Sequence, residues 1–380
     1  MLKRISVQGF KSIEQQTIEL GALNVVIGAN GSGKSNLIGV FRLLERVLSR
    51  NLQLYVASDP DRVLFHGRKK TPALSLDFVF DDDLYGFKLK AAQDTLVFQI
   101  ELMGGAGGSC KQIGLGHGES HLQGIAEGQL RQIGTISTEI LDSPDFPGDY
   151  PFRNPDETRK FAQQLFSQAA RLMVYHFHDT SDTSPAKQTA DVDDNRFFRS
   201  DAANLPAYLY WLQEKHPVEF RRIEEAIRLV APFFECFVLA PSKLNEKKIK
   251  LEWRQKGSDA YFDAWSLSDG TLRFICLATL LLQPNPPALI LLDEPELGLH
   301  PLAIRLLAEM LDAASGQTQL LVATQSVTLL DNFPIEQIIV ADHDGRGSQF
   351  RRLRPEDYAM WLENFSVGEL WEKNVLGGRP

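Results

Sequence analysis

The sequence predicts an α/β protein: a mixed core sheet, an added antiparallel β-layer and a helical subdomain. Three observations predict it. A compact run, Leu23-Asn24-Val25-Val26-Ile27, enters a glycine-rich turn and then a helix-spaced apolar series. A second apolar run, Ala288-Leu289-Ile290-Leu291-Leu292, ends in two carboxylates, Asp293 and Glu294. Between them, Leu74-Ser75-Leu76-Asp77-Phe78-Val79-Phe80 alternates with the period of a half-buried strand.

The elements follow in order. Ile5 to Ile13 and Thr17 to Leu20 read as two short strands with a turn between them. Leu23–Ile27 reads as a buried strand. Leu37, Ile38, Val40, Phe41, Leu43, Leu44, Val47 and Leu48 recur at helical spacing to about Ser49. Residues 51 to 101 look β-rich, with a break at Gln93-Asp94. Gly104-Gly105-Ala106-Gly107-Gly108 and the stretch to Gly128 read as loop or insertion. His117 and His121 lie four apart in that stretch, and its glycine content argues against a metal site. Helical spacing returns at 156 to 172, then a strand candidate runs from Leu172 to Phe177, with His176 and His178 on one face. Those two histidines read as hydrogen-bonding residues rather than ligands. Residues 184 to 200 read as loop, 202 to 215 and 217 to 231 as helices, and Phe234–Ala240 with Lys248–Arg254 as a hairpin. The expected organisation is an N-terminal lobe over 1–102, an insertion and return strand over 103–200, partly flexible, a helical subdomain over 201–284, a lobe over 285–345 and a tail over 346–380. Trp361, Phe365 and Trp371 in that tail are expected to pack into the core, with a partner-docking surface as the alternative.

Composition narrows the class. Hydrophobic residues at 43% and charged residues at 23% give the profile of a globular protein. No apolar run approaches the roughly 20 residues that span a bilayer. The N-terminus lacks a secretory pattern, so a cytoplasmic location is expected. Cys110, Cys236 and Cys276 are odd in number and unpaired in spacing, against a disulfide framework or a structural zinc. The net charge of −9 argues against holding DNA by bulk electrostatics. The basic clusters, Arg68-Lys69-Lys70 and Lys243 to Lys250, read as a loop and a solvated strand face.

Residues 28 to 35 match G-x-x-x-x-G-K-S, and strand–loop–helix is the setting this phosphate loop requires. Its glycines let backbone N–H groups close on a phosphate, and the following helix directs its positive end there. The candidate ATP-binding residues are Gly28, Ala29, Asn30, Gly31, Ser32, Gly33, Lys34, Ser35 and Asn36. Lys34 neutralises the β- and γ-phosphates, and Ser35 offers a hydroxyl to Mg²⁺. Asp293 is the second Mg²⁺ candidate. Glu294 is placed to polarise the attacking water. Leu267-Ser268-Asp269-Gly270-Thr271 precedes an apolar helix that Ser268 would cap, and free N–H groups at such a start can bind a γ-phosphate.

With these elements in that order, the sequence resembles the ABC ATPase superfamily of P-loop NTPases, in the branch of RecF, SMC and OLD proteins. More narrowly it is similar to small bacterial ATPases of the AAA_21 and AAA_15 type. The residues that carry this are Val7-Gln8-Gly9-Phe10-Lys11-Ser12-Ile13, the loop from Gly28 to Asn36, Asn204 to Leu209, Asp293-Glu294-Pro295-Glu296-Leu297-Gly298-Leu299-His300-Pro301, and Val367 to Gly378. The resemblance covers both ends and little of 100 to 200. It implies a homodimer that closes around ATP, with Lys34, Ser35, Asp293 and Glu294 acting in cis and Ser268 and Gly270 in trans. It also implies that Lys11 and Ser12 lie near the base and sugar, and that Glu296 to His300 form the D-loop. Gln325 stands at the switch position, where many relatives have histidine, and glutamine cannot carry a proton. Asp269 stands where transporters have glycine. Gln53 is the weak candidate for the Q-loop.

The resemblance implies a switch in DNA maintenance or anti-phage defence, with DNA as a further partner. About 80 residues follow Glu294, and most complete the ATPase core, so a Toprim-like or nuclease effector is expected as a separate chain. Two alternatives compete. A binding-only scaffold is favoured by Gln325 and opposed by Asp293-Glu294. A transporter energy subunit is opposed by both Asp269 and Gln325.

Overall fold

The computed structural model describes residues 1–81, 83–105, 110–127 and 155–378. Ala106, Gly107 and Gly108 of the expected loop, and residues 128–154 of the insertion expected over 103–200, lie outside the described residues. The chain forms two compact units: Met1–Met173 with Glu336–Asp357 and Asn374–Pro380, and Val174–Ile335 with Tyr358–Lys373.

The first unit contains the antiparallel layer that alternation predicts. Its six strands lie in the order Ile13–Glu19, Leu2–Phe10, Ala73–Phe80, Asp83–Ala92, Thr95–Gly105 and Cys110–Gly114. Alternate residues share a face, so Leu74, Leu76 and Phe78 are fully buried together. Phe78, Phe87 and Phe98 continue the stack across strands, with ring centroids 6.4 and 5.8 Å apart. Leu23–Ile27 is buried at every position. It pairs in parallel with Ile338–His343, which pairs antiparallel with Ser348–Arg352. Strands of both senses therefore flank the phosphate loop, as a mixed sheet requires.

The β-rich reading of 51 to 101 fails at its start. Leu52–Val56 is a short helix and Pro60–Arg62 a 3₁₀ turn. Leu52, Leu54 and Val56 alternate in sequence, but Leu52 and Val56 are buried while Leu54 is 74% exposed. Positions four apart sharing one face is the helical solution. The Gln53 amide on this helix donates to the carbonyls of Leu96 and Gly118, tying the helix to the β-layer.

Glu101, His117 and His121 come together in this layer. The buried Glu101 carboxylate already accepts from the Tyr85 and Ser120 hydroxyls, the His121 N–H and His117 Nε2. The two imidazoles stack at 3.8 Å and 19°, so their in-plane lone pairs lie in nearly parallel planes, a poor arrangement for sharing one ion.

In the second unit, Leu289–Asp293 and Gln319–Thr324 are parallel neighbours, with Asp293 opposite Ala323. The helix Pro301–Ser315 connects them. The helix Asp269–Leu281 packs against Pro301–Ser315 and Pro217–Val230. Between the helices the expected hairpin is more elaborate. Phe234–Phe237 does pair with Glu252–Gln255, and Tyr261–Asp263 adds a third strand. Inserted between them, Asn245–Ile249 pairs with Pro241–Ser242 and with Ala190–Asp191.

The tail aromatics divide. Trp371 is buried at 6% exposure on the helix Val367–Glu372, which a Ser366–Glu369 capping box starts. Trp361 is 45% exposed, against the expectation of core packing.

Candidate active site

The phosphate loop begins where Leu23–Ile27 ends. Gly28, Gly31 and Gly33 all have positive φ, the region glycine enters without steric cost. Two of them also need the missing side chain. A Cβ on Gly28 would lie 2.3 Å from the Ala341 carbonyl, and one on Gly33 would lie 2.1 Å from Ser348 Oγ. Gly33 caps the helix Lys34–Leu48 without a side chain, so no side-chain oxygen competes for the first-turn N–H groups. Lys34 is 5% exposed and donates to the carbonyls of Gly28 and Ala29 at 2.7 and 3.0 Å. Ser35 is exposed, as are Asn30 and Gly31. Ser32 Oγ is buried with no hydrogen-bond partner among the described residues.

Beside the loop, Asn36 Nδ2 donates to Ser12 Oγ, which also bonds Ser348 Oγ, each at 2.7 Å. Lys11 and Ser12 line a cavity of about 940 Å³ with Asn36, Arg62, Arg68 and Arg346. Burial, with Arg42 and Arg62 close by, holds the Lys11 ammonium below its ordinary range. The Arg68-Lys69 cluster, read from sequence as a solvated loop, belongs to this cavity wall. The cavity is cationic, which suits a polyphosphate ligand. Short-range sequence pattern could not show this, because His343 and Arg346 arrive from the other end of the chain.

The acidic pair lies in the second unit. Asp293 and Glu294 are both partly exposed at the carboxyl end of their strand. Glu294 has φ of +45°, uncommon for a residue with a side chain. Its carboxylate Oε1 accepts from the Gln325 amide, so the expected base and the switch residue touch. Glu296, 9% exposed, accepts from the Thr324 hydroxyl, and burial pushes its carboxyl above the usual range, with the Glu294 charge adding to the shift.

Ser268 caps the helix Asp269–Leu281 by accepting from the Thr271 N–H at 3.2 Å. Gly270 lies against the segment that follows Glu294: a Cβ there would be 2.5 Å from the Gly298 carbonyl. Gly270→Ala is therefore expected to force the two segments apart and destabilise the protein by about 1–3 kcal/mol, the usual range for overpacking. Thermal unfolding of the variant measures it.

The oxygen donors at Ser35 and Asp293 are of the hard type that Mg²⁺ takes. Among the described residues, no helix is long and apolar enough to cross a membrane.

Comparison with known proteins points to an ATPase domain. Residues 141–331 match the AAA_21 family profile, "AAA domain, putative AbiEii toxin, Type IV TA system", and residues 1–183 match AAA_15, "AAA ATPase domain". Over 180 residues the chain is 28% identical to the "Putative HMP/thiamine import ATP-binding protein YkoD" of Bacillus subtilis (strain 168), covering 44% of the chain and 31% of that protein. Over 95 residues it is 37% identical to the "Chromosome partition protein Smc" of Desulfitobacterium hafniense (strain Y51), covering 23% of the chain and 8% of that protein. The chain thus spans less than a third of the length of either relative. Among solved structures, an Smc head bound to the C-terminal winged-helix domain of ScpA superposes with a TM-score of 0.59 at 15% identity, over 94% of this chain and 99% of that one. A Pyrococcus furiosus Smc head with an extended coiled coil, bound to the C-terminal domain of ScpA, gives 0.56 at 15%, over 95% and 98%. At that identity the likeness is one of fold.

Proposed function

The chain belongs to the AAA_21 family of AAA domains and is an ATP-hydrolysing enzyme; on that premise we propose that it is a switch of SMC/ABC type whose two copies close around ATP. Lys34 and the loop N–H groups hold the phosphates. Ser35 and Asp293 would hold Mg²⁺, which would neutralise phosphate charge. Glu294 takes the proton of the attacking water, and the Gln325 amide orients the Glu294 carboxylate. Lys11 and Ser12 contribute to the base and sugar side.

The observation that carries the closure is the seating of Gly270 on the Gly298 carbonyl. It presents signature and D-loop as one surface, with Ser268 and Asp269 exposed and Leu297 and Leu302 exposed at 50% and 49%. Half-exposed leucines beside a phosphate-binding helix start suit a surface that a second protomer covers on ATP binding. The proposed consequence is control of a separate effector, Toprim-like or nuclease, in DNA maintenance or defence against phage, with DNA as a further partner. The toxin–antitoxin wording of the family description and the ScpA-bound Smc heads support that reading.

The test is the solution mass of Glu294→Gln with ATP and Mg²⁺. A doubling that Leu297→Glu prevents is the expected result. A chain that stays monomeric at high concentration overturns the closure.

A further inference from the structure

One peptide group decides where the Glu294 carboxylate points, and both of its polar atoms are held. The peptide joining Asp293 to Glu294 carries the Asp293 carbonyl and the Glu294 N–H. The Glu294 N–H donates to the Ala323 carbonyl at 2.7 Å. The Asp293 carbonyl accepts from His178 Nε2, also at 2.7 Å. A carbonyl only accepts, so this contact selects the tautomer with hydrogen on Nε2. The peptide plane is thus fixed from opposite sides, by a strand neighbour and by a side chain 115 residues away.

The need for this clamp lies in the next torsion. Glu294 has φ of +45°, a conformation that a residue with a side chain keeps only where its surroundings over-determine it. Rotating the peptide about its own ends would let Glu294 relax toward negative φ and carry its carboxylate away from the Gln325 amide. The segment bearing the imidazole is held in turn. Arg273, 6% exposed, donates to the carbonyls of Phe177 and His178 at 3.0 and 3.2 Å. Arg273 lies one turn into the helix that Ser268 caps. A hydrogen-bonded path therefore runs from the signature helix through Arg273, the main chain at 177–178 and the His178 ring to the peptide before Glu294.

We propose that His178 is a positioning residue for ATP hydrolysis, clamping the Asp293–Glu294 peptide so that Glu294 is aimed, and tying that aim to the signature helix. This rests on the reading of Glu294 as the base. His178 touches no reacting atom; it acts through the backbone.

The experiment compares steady-state hydrolysis by His178→Leu, His178→Asn and His178→Gln with wild type, beside thermal unfolding and nucleotide titration. A glutamine amide nitrogen can occupy the place of Nε2, whereas asparagine falls short. Leucine and asparagine are expected to lower kcat about 10- to 100-fold, the scale of a misplacement near 1 Å, with KM for ATP and the unfolding midpoint unchanged. Glutamine is expected to restore kcat to within about threefold of wild type. In a Glu294→Gln background His178→Leu should cost nothing further, because both act through one carboxylate. Turnover of His178→Leu close to wild type overturns the proposal. So does glutamine as slow as asparagine, or a loss of kcat that only follows a fall in stability and ATP affinity. If leucine fails to fold, the glutamine–asparagine pair decides alone. Normal turnover by Glu294→Gln itself refutes the underlying base assignment instead, and the two failures are separately visible.

Discussion

Glu294→Gln should lower ATP turnover by about 10²- to 10⁴-fold, the usual contribution of a positioned general base, while leaving ATP affinity nearly intact. The substitution preserves shape and removes the charge that draws a proton from water. The Gln325 amide, which donates to Glu294 Oε1 in the native protein, can still donate to the new amide oxygen. Released phosphate in single-turnover and steady-state assays measures the loss, and titration with a fluorescent nucleotide measures retained binding. Equal and measurable turnover in wild type and variant would remove Glu294 from the mechanism. The comparison also decides between a hydrolytic switch and a chain that mainly binds, the alternative raised by glutamine at position 325.

Lys34→Ala should act one step earlier. The ammonium is 5% exposed and its present partners are the carbonyls of Gly28 and Ala29. A phosphate exchanges these for stronger, charge-assisted bonds. Losing them is expected to weaken ATP binding by on the order of 3 kcal/mol, about 100-fold. Isothermal titration with ATP measures it, with circular dichroism to confirm an intact fold. An affinity within about threefold of wild type would exclude Lys34 from the phosphate site. The contrast with Glu294→Gln is the useful one: one variant should bind and stall, the other should fail to bind.

What was legible in the sequence was local. The glycines at 28, 31 and 33 reveal the loop because positive φ and close backbone approach leave no other residue type comfortable there. Leu23–Ile27, interrupted only by the buried Asn24, and Leu289–Leu292 reveal buried strands because burial on both faces favours apolar runs. Ser268 reveals a helix start through its hydroxyl. The rest depended on distance. Leu52 to Val56 alternates like a strand, and only the folded chain, through the exposed Leu54 and the bond from the Ala57 N–H to the Gln53 carbonyl, shows a helix turn. The cavity beside Ser12 is assembled with His343 and Arg346, far from it in sequence. The sequence reads His178 as sharing a strand face with His176, whereas the strand stops at Tyr175, and nothing near His178 in the chain announces Asp293. Trp361 looks like core because aromatic residues bury large areas, yet it is 45% exposed while Trp371, ten residues on, is buried.

The left-handed backbone at Glu294 has one more consequence. Folding and chemistry want different residues at this position. Glycine or asparagine would sit in that conformation with less strain, and neither can act as a base. The sequence therefore holds its glutamate against a local conformational preference. A change that merely eases the backbone there would leave a sturdier protein with an idle site. Within this fold, durability and rate are opposed at a single torsion angle.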